Sequence, residues 1–240
     1  MTAVTAPTGV RRLSPSRHTA RWLLRQHIGL AVWAVGILVV LATTALILVD
    51  RYGTVEISIV QFGRQGFIWF PFSVSLISFT AYVSVHVAAG MTRRSLGRAS
   101  IAAGLTMAAF YTIVMTGALQ LERAVYGGRR WAQQITEAAV FSDTSQVGWI
   151  LTDLGLVFTA TQLCALLVGV VYYRFGGWWG TLALPLTVGP ILLISPLLTT
   201  PLLDPLSRLA RVPIAVGVLV VVAGVYLALV RRVSIRPVTA

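Results

Sequence analysis

The sequence predicts an all-α integral membrane protein. It should have six transmembrane helices, cytoplasmic N- and C-termini, and an amphipathic inner-leaflet helix before the first span. Three observations predict this. The 240 residues are 57% hydrophobic and only 11% charged, too apolar for a soluble domain. The apolar residues gather into six runs, each near the ~20 residues that a membrane-crossing helix needs. The charges are also sided. All nineteen basic residues are arginines. Cutting the chain at its apolar runs puts Arg11, Arg12, Arg17, Arg21, Arg25, Arg93, Arg94, Arg98, Arg174, Arg231, Arg232 and Arg236 on one side, with no acid. The other side takes the remaining arginines and Asp50, Glu56, Glu122, Glu137, Asp143, Asp153 and Asp204. The net charge of +12 therefore belongs to one face. Arginine near span ends stays cytoplasmic, so both termini are read as inside.

Residues 1–13 are polar, small and basic, and read as a disordered tail. Ser14-Pro15 is a helix start. From there to residue 27, Ala20, Leu23, Leu24, His27 and Ile28 share one face and Arg17, Arg21 and Arg25 another. That pattern describes a basic helix on the inner leaflet. The apolar run behind it is too long for a signal peptide and has no small-x-small site, so it reads as an uncleaved first span. A single domain, 28–230, follows, with spans at about 28–49, 67–90, 99–121, 149–173, 178–199 and 213–230. Pro185, Pro190 and Pro196 predict kinks in the fifth. Loop 122–148 is expected to hold a surface helix, with Trp131, Ile135, Ala138 and Ala139 on one face. The proline-rich stretch from Pro196 to Pro213 reads as a bent or re-entrant outer segment, and 231–240 as a cytoplasmic tail.

Much chemistry is missing from the chain. The pI near 11.3 would suit a nucleic-acid partner, but the arginines flank apolar spans and membrane sidedness accounts for them. Cys164 is the only cysteine, and the three histidines do not make a metal or haem set, so no metal is expected. Without lysine there is no P-loop, and no nucleophile elbow occurs, so the chain is not read as an enzyme. No charge falls near the middle of a span, which disfavours ion coupling. Glu122 and Asp153 lie about one turn inside the outer boundary. They read as interface residues pairing with Arg123, Arg129 or Arg130, and less readily as an outer gate.

Phe72, Ser75, Phe79, Tyr82 and His86 recur at 3-4-3-4 spacing along the second span. They are either the wall of a path for an amphiphilic substrate or an interhelical seam. Ser100, Gly104, Ala108, Thr112 and Thr116 form a small-residue ridge on the third span, suited to close packing.

The inner turn after the second span reads Gly90-Met91-Thr92-Arg93-Arg94-Ser95-Leu96-Gly97-Arg98. It resembles the turn of permease subunits of type-2 ATP-binding-cassette transporters, and Tyr172-Tyr173-Arg174-Phe175-Gly176 resembles the inner turn after the fourth span in actinobacterial members. The amphipathic entry helix, six-span layout and proline-rich outer segment are also similar. The resemblance implies a half-transporter in a bacterial cytoplasmic membrane. It implies a second permease, identical or homologous, and separate cytoplasmic ATPase subunits that hold ATP and Mg. Met91, Thr92, Arg93, Arg94, Ser95, Leu96 and Arg98, with Arg21 and Arg25, would then couple to the ATPase. The path would carry a drug, lipid or lipopeptide outward. A non-transporting membrane scaffold or assembly subunit is the alternative.

Overall fold

The computed structural model describes residues 15–136, 140–200 and 207–233. Among the described residues six α-helices follow in order: α1 (Pro15–Tyr52), α2 (Gly63–Ala88), α3 (Arg93–Arg129), α4 (Val147–Leu182), α5 (Leu184–Thr199) and α6 (Arg208–Arg231). Among the described residues the only β pairing is an isolated bridge between Ile57 and Gln134. Five helices (α1, α2, α3, α4 and α6) are long and apolar enough to cross a membrane, and α5 is a shorter apolar helix. The chain is thus an all-helical, multi-pass membrane protein.

The bundle is built around α4. Its stretch Ala160–Val171 is buried on all sides, as a helix apolar all round must be. α2 presents Phe67, Phe72, Ser75, Phe79 and Val83 to this core. α6 adds Ala215, Leu219, Val222, Tyr226 and Val230 at steps of three and four. The ridge Ser100, Gly104, Ala108, Thr112 and Thr116 of α3 is buried, and Gly104 and Thr112 meet α4. A Cβ on Gly104 would lie 3.3 Å from Gln162, so glycine there sets how closely the two helices approach. Phe67, Tyr111 and Phe158 join α2, α3 and α4 through tilted and edge-on ring contacts 5.6–6.4 Å apart.

The entry helix runs into the first span as one 38-residue helix, because nothing between Pro15 and Tyr52 breaks it. Its buried stripe is Thr19, Leu23, His27 and Ala31, so the entry segment packs on protein as well as lipid. His27 bonds Ser78 of α2 at 3.2 Å, and Trp22 stacks on Tyr82 with ring centres 3.7 Å apart. α3 starts at Arg93 and ends at Arg129, so Arg93–Arg98 form its first turns and Glu122 is helical. Residues 131–136 are not a helix; they are extended and pair with the segment after α1. Pairing there takes the Ser58 and Gln134 amides, and a helix face built on Trp131 and Ile135 offers nothing to offset that. The remainder of the expected surface helix, residues 137–139, lies outside the described residues. So do the tail 1–13, residues 201–206 of the proline-rich segment and the end of the C-terminal tail.

α4 is broken at Gly176, whose φ of 84° and ψ of 179° suit glycine alone. Tyr172 and Thr181 lie nine residues apart, which in a straight helix would separate them by roughly 13 Å. Here their oxygens are 2.9 Å apart, so the chain folds back on itself. Gly180 sits where a Cβ would come within 2.8 Å of the Tyr172 ring. Gly176→Ala is expected to lower stability by about 1–3 kcal/mol. The check is the apparent Tm of the purified protein in detergent; an unchanged Tm would rule this out.

The helix directions put Arg17, Arg21, Arg25, Arg93, Arg94, Arg98, Arg174, Arg231 and Arg232 at one end of the bundle. Asp50, Glu56, Glu122, Asp143 and Asp153 belong to the other, loop-rich end.

Candidate functional site

At the arginine end, α2 and α3 are joined with little slack. Gly90 takes φ 75° and closes α2: its amide bonds Val87 O at 2.9 Å, and the Met91 amide bonds His86 O at 3.2 Å. Thr92 then caps α3, its hydroxyl accepting from the Ser95 amide at 3.2 Å. The Ser95 hydroxyl donates to Thr92 O at 2.6 Å, so its contact with His86 Nε2 at 3.1 Å takes the ring proton. His86 Nδ1 faces Thr19 of α1 at 3.5 Å, and the Thr19 hydroxyl is also directed at Met91 sulfur, 4.0 Å away. His86 is 1% exposed and therefore pins three helices together. Leu96 is buried behind the junction, and Gly97 abuts Leu227 and Val230 of α6.

The expected coupling residues thus divide. Thr92, Ser95 and Leu96 hold the junction, whereas Arg21, Arg25, Arg94 and Arg98 are exposed and Arg93 is half-exposed. Arg93, Arg94 and Arg231 line an open hollow of about 490 Å³ together with Met91. The first turn of α3 holds no acid, so its positive end and these guanidiniums face solvent together.

The residues of the expected wall of α2 are engaged in packing in this arrangement. Ser75 donates to Gln162 at 2.5 Å, Phe79 packs edge-on to Tyr226 with centres 5.7 Å apart, and Tyr82 carries Trp22. Phe72 is buried beside Trp69, and His86 belongs to the junction. Ser75, Phe79, Tyr82 and His86 thus form a seam against α4, α6, α1 and α3 in turn.

At the loop-rich end, Glu122 and Asp153 are buried and separate, and neither takes the arginine expected for it. Glu122 accepts from Ser58 Oγ at 2.5 Å, the Ile59 and Val60 amides at 2.7 and 3.0 Å, and Gln133 Nε2 at 2.7 Å. It anchors the short 3-10 turn Val60–Phe62 that starts α2. Thr144 donates to Gln133 at 2.6 Å, and Thr136 and Gln61 tie the later loop to the earlier one. Nearby, the Ser145 amide donates to exposed Asp143 at 2.7 Å and holds its carboxyl below its ordinary range.

Asp153 is 0% exposed and pairs with Arg64 at 2.9 Å. Arg64 lies in the first turn of α2, not in a loop, and also donates to Ser195 of α5 at 3.0 Å. A buried ion pair therefore joins α2, α4 and α5 near their loop-rich ends, and the partner of Asp153 is Arg64 in place of the expected Arg123, Arg129 or Arg130. Arg211 of α6 similarly donates to Leu198 O and Thr200 O, closing the end of α5.

A second cavity of about 480 Å³ lies between α1 and α3. The 3-10 turn closes its loop-rich end, and Glu122 is its one charged lining group. Reading the sequence missed Arg64, Gln162, Gln133 and Ser58. Gln162 did carry a signal, as the one amide in the apolar run 149–173. Among the described residues no three of His, Cys, Asp or Glu gather as a metal site. Compared with protein-family models, curated proteins and solved structures, the chain matches none.

Proposed function

We propose that the chain is the permease subunit of an ATP-driven exporter of the type-2 ATP-binding-cassette class, with six spans and both termini in the cytoplasm. The arm after Gly176 and α5 are separated by Ala183 alone, which keeps near-helical angles. Together they supply about 35 Å of helix, enough for a further crossing. ATP and Mg belong to separate ATPase subunits, and a second permease completes the path in a bacterial cytoplasmic membrane. The cargo is hydrophobic or amphiphilic: a drug, lipid or lipopeptide.

One observation carries the reading, the basic hollow at the α2–α3 junction. Arg93 and Arg94 project from the first turn of α3, beside a junction fixed at both ends, and His86 links that junction to α1. A push on Arg93 or Arg94 would be passed to three helices instead of being absorbed by a loop. A second reading, a non-transporting scaffold, is favoured by the wall residues being engaged in packing.

Charge reversal at Arg93→Glu and Arg94→Glu tests the proposal. Acid at a helix N-terminus favours the helix by about 0.3–1 kcal/mol, so the fold should survive. Stimulation of the partner ATPase should fall roughly tenfold or more, a factor of ten being about 1.4 kcal/mol of docking. The assay is vanadate-sensitive hydrolysis by the complex purified with its ATPase. Undiminished hydrolysis and export in the double variant, or a chain that purifies with no ATPase and supports no flux in liposomes, would leave the scaffold reading.

A further inference from the structure

We propose that the cavity between α1 and α3 is a binding site for one acyl chain of a phospholipid, drawn from the leaflet on the loop-rich side. The inference goes beyond the exporter reading and does not depend on it.

The trough runs along Val35–Leu46 of α1 and Val114–Tyr126 of α3. Both stretches measure about 17 Å along their axes. One leaflet of hydrocarbon is about 15 Å deep, half of a ~30 Å core. The site therefore has the depth of a single leaflet. Its walls are apolar, with Leu38, Ala42, Met115 and Ala118 among them. Its mouth faces lipid, since Val39, Leu41, Leu121 and Val125 are exposed. Its volume of about 480 Å³ is that of a ligand site rather than a packing fault.

Glu122 lies at the loop-rich end of the trough, beside the turn that closes it. A free carboxylate there would call for a cation or a donor. Here both oxygens are already bonded, by Ser58, Ile59, Val60 and Gln133, all within 3.0 Å. The lining is otherwise largely apolar, so a hydrocarbon tail suits it. The tail enters sideways through the lipid-facing mouth, its methyl end toward Val35 and Val114 and its headgroup at the loop-rich level. At that level exposed Arg51 and Arg129 end α1 and α3, Arg129 also pairing with Asp50 at 3.5 Å, and both can face a phosphate. Hydrophobicity does not drive a tail from lipid into protein. Contact on three sides does, because an unfilled apolar trough loses those dispersion contacts outright.

The test uses the full chain, delipidated in detergent, with phosphatidylglycerol carrying a photoactivatable diazirine on one acyl chain. Labelling is expected to saturate at one lipid per chain and to map to residues 35–46 and 114–126. Ala118→Trp and, as a milder filler, Ala42→Leu should lower labelling roughly tenfold and severalfold. Val220→Trp on the exposed face of α6 should leave it unchanged. Labels spread evenly over the lipid-facing helices would mean annular lipid only and overturn the site. Labelling that persists in a monodisperse Ala42→Leu protein would overturn it too. A diazirine fatty acid that labels the trough while the phospholipid does not would overturn the choice of lipid.

Discussion

Asp153→Asn is expected to destabilise the protein by about 3–5 kcal/mol, the range for removing one partner of a buried pair. The carboxylate is 0% exposed, and the Arg64 guanidinium 2.9 Å away is itself 8% exposed. Asparagine can keep an oxygen near Arg64 but cannot neutralise it, so a cation would remain in a site of low dielectric. Arg64→Met should cost a similar amount by leaving Asp153 ionised and buried, or by forcing it to take up a proton. The joint variant Arg64→Met with Asp153→Leu should lie closer to the parent than either single change. Apolar replacement of a whole buried pair is often neutral or better. Ser195 would then lose only its bond from Arg64. Unfolding in mixed micelles, run as a double-mutant cycle, measures the coupling. Single effects that simply add would mean that the two charges do not depend on each other.

That pair also marks where the sequence stopped being legible. Long apolar runs announce the spans, and the sidedness of arginine announces which helix ends lie together. Both follow from the cost of placing charge in hydrocarbon. The same rule misled at Arg64. It takes charge as a sign of a loop, and sequence alone cannot see that Asp153, 89 residues away, makes a buried arginine tolerable. Arg93 and Arg94 were placed in a turn for the same reason, although they open α3. The seam of α2 shows a second limit. A face of Phe72, Ser75, Phe79 and Tyr82 has the same periodicity whether it meets a substrate or Gln162 and Tyr226. Only the partners distinguish the two. The continuity of α1 was readable, since no glycine-proline break or capping residue separates His27 from Ile28.

Glu122→Ala should be as damaging as the loss of Asp153, for a different reason. No opposite charge is involved; four neutral donors would lose one acceptor. Two are the Ile59 and Val60 amides at the start of the 3-10 turn, and Ser58 is 0% exposed. A buried donor left without a partner costs about 1–3 kcal/mol. Water reaching the loop-rich end would recover part of that, so a total of about 3–5 kcal/mol is expected. Glu122→Gln keeps one acceptor oxygen and should cost less than half as much. The loss should be local. Hydrogen exchange at Ile59 and Val60 should quicken by roughly two to four orders of magnitude, the factor matching that free energy. The core of α4 around Leu163–Val168 should stay protected. The turn also closes the trough between α1 and α3, so phospholipid labelling at 114–126 should fall in the same variant. Unchanged protection at Ile59 and Val60 would mean that the turn holds without its carboxylate. Loss of protection throughout α4 would make Glu122 a residue of global stability instead of a local anchor.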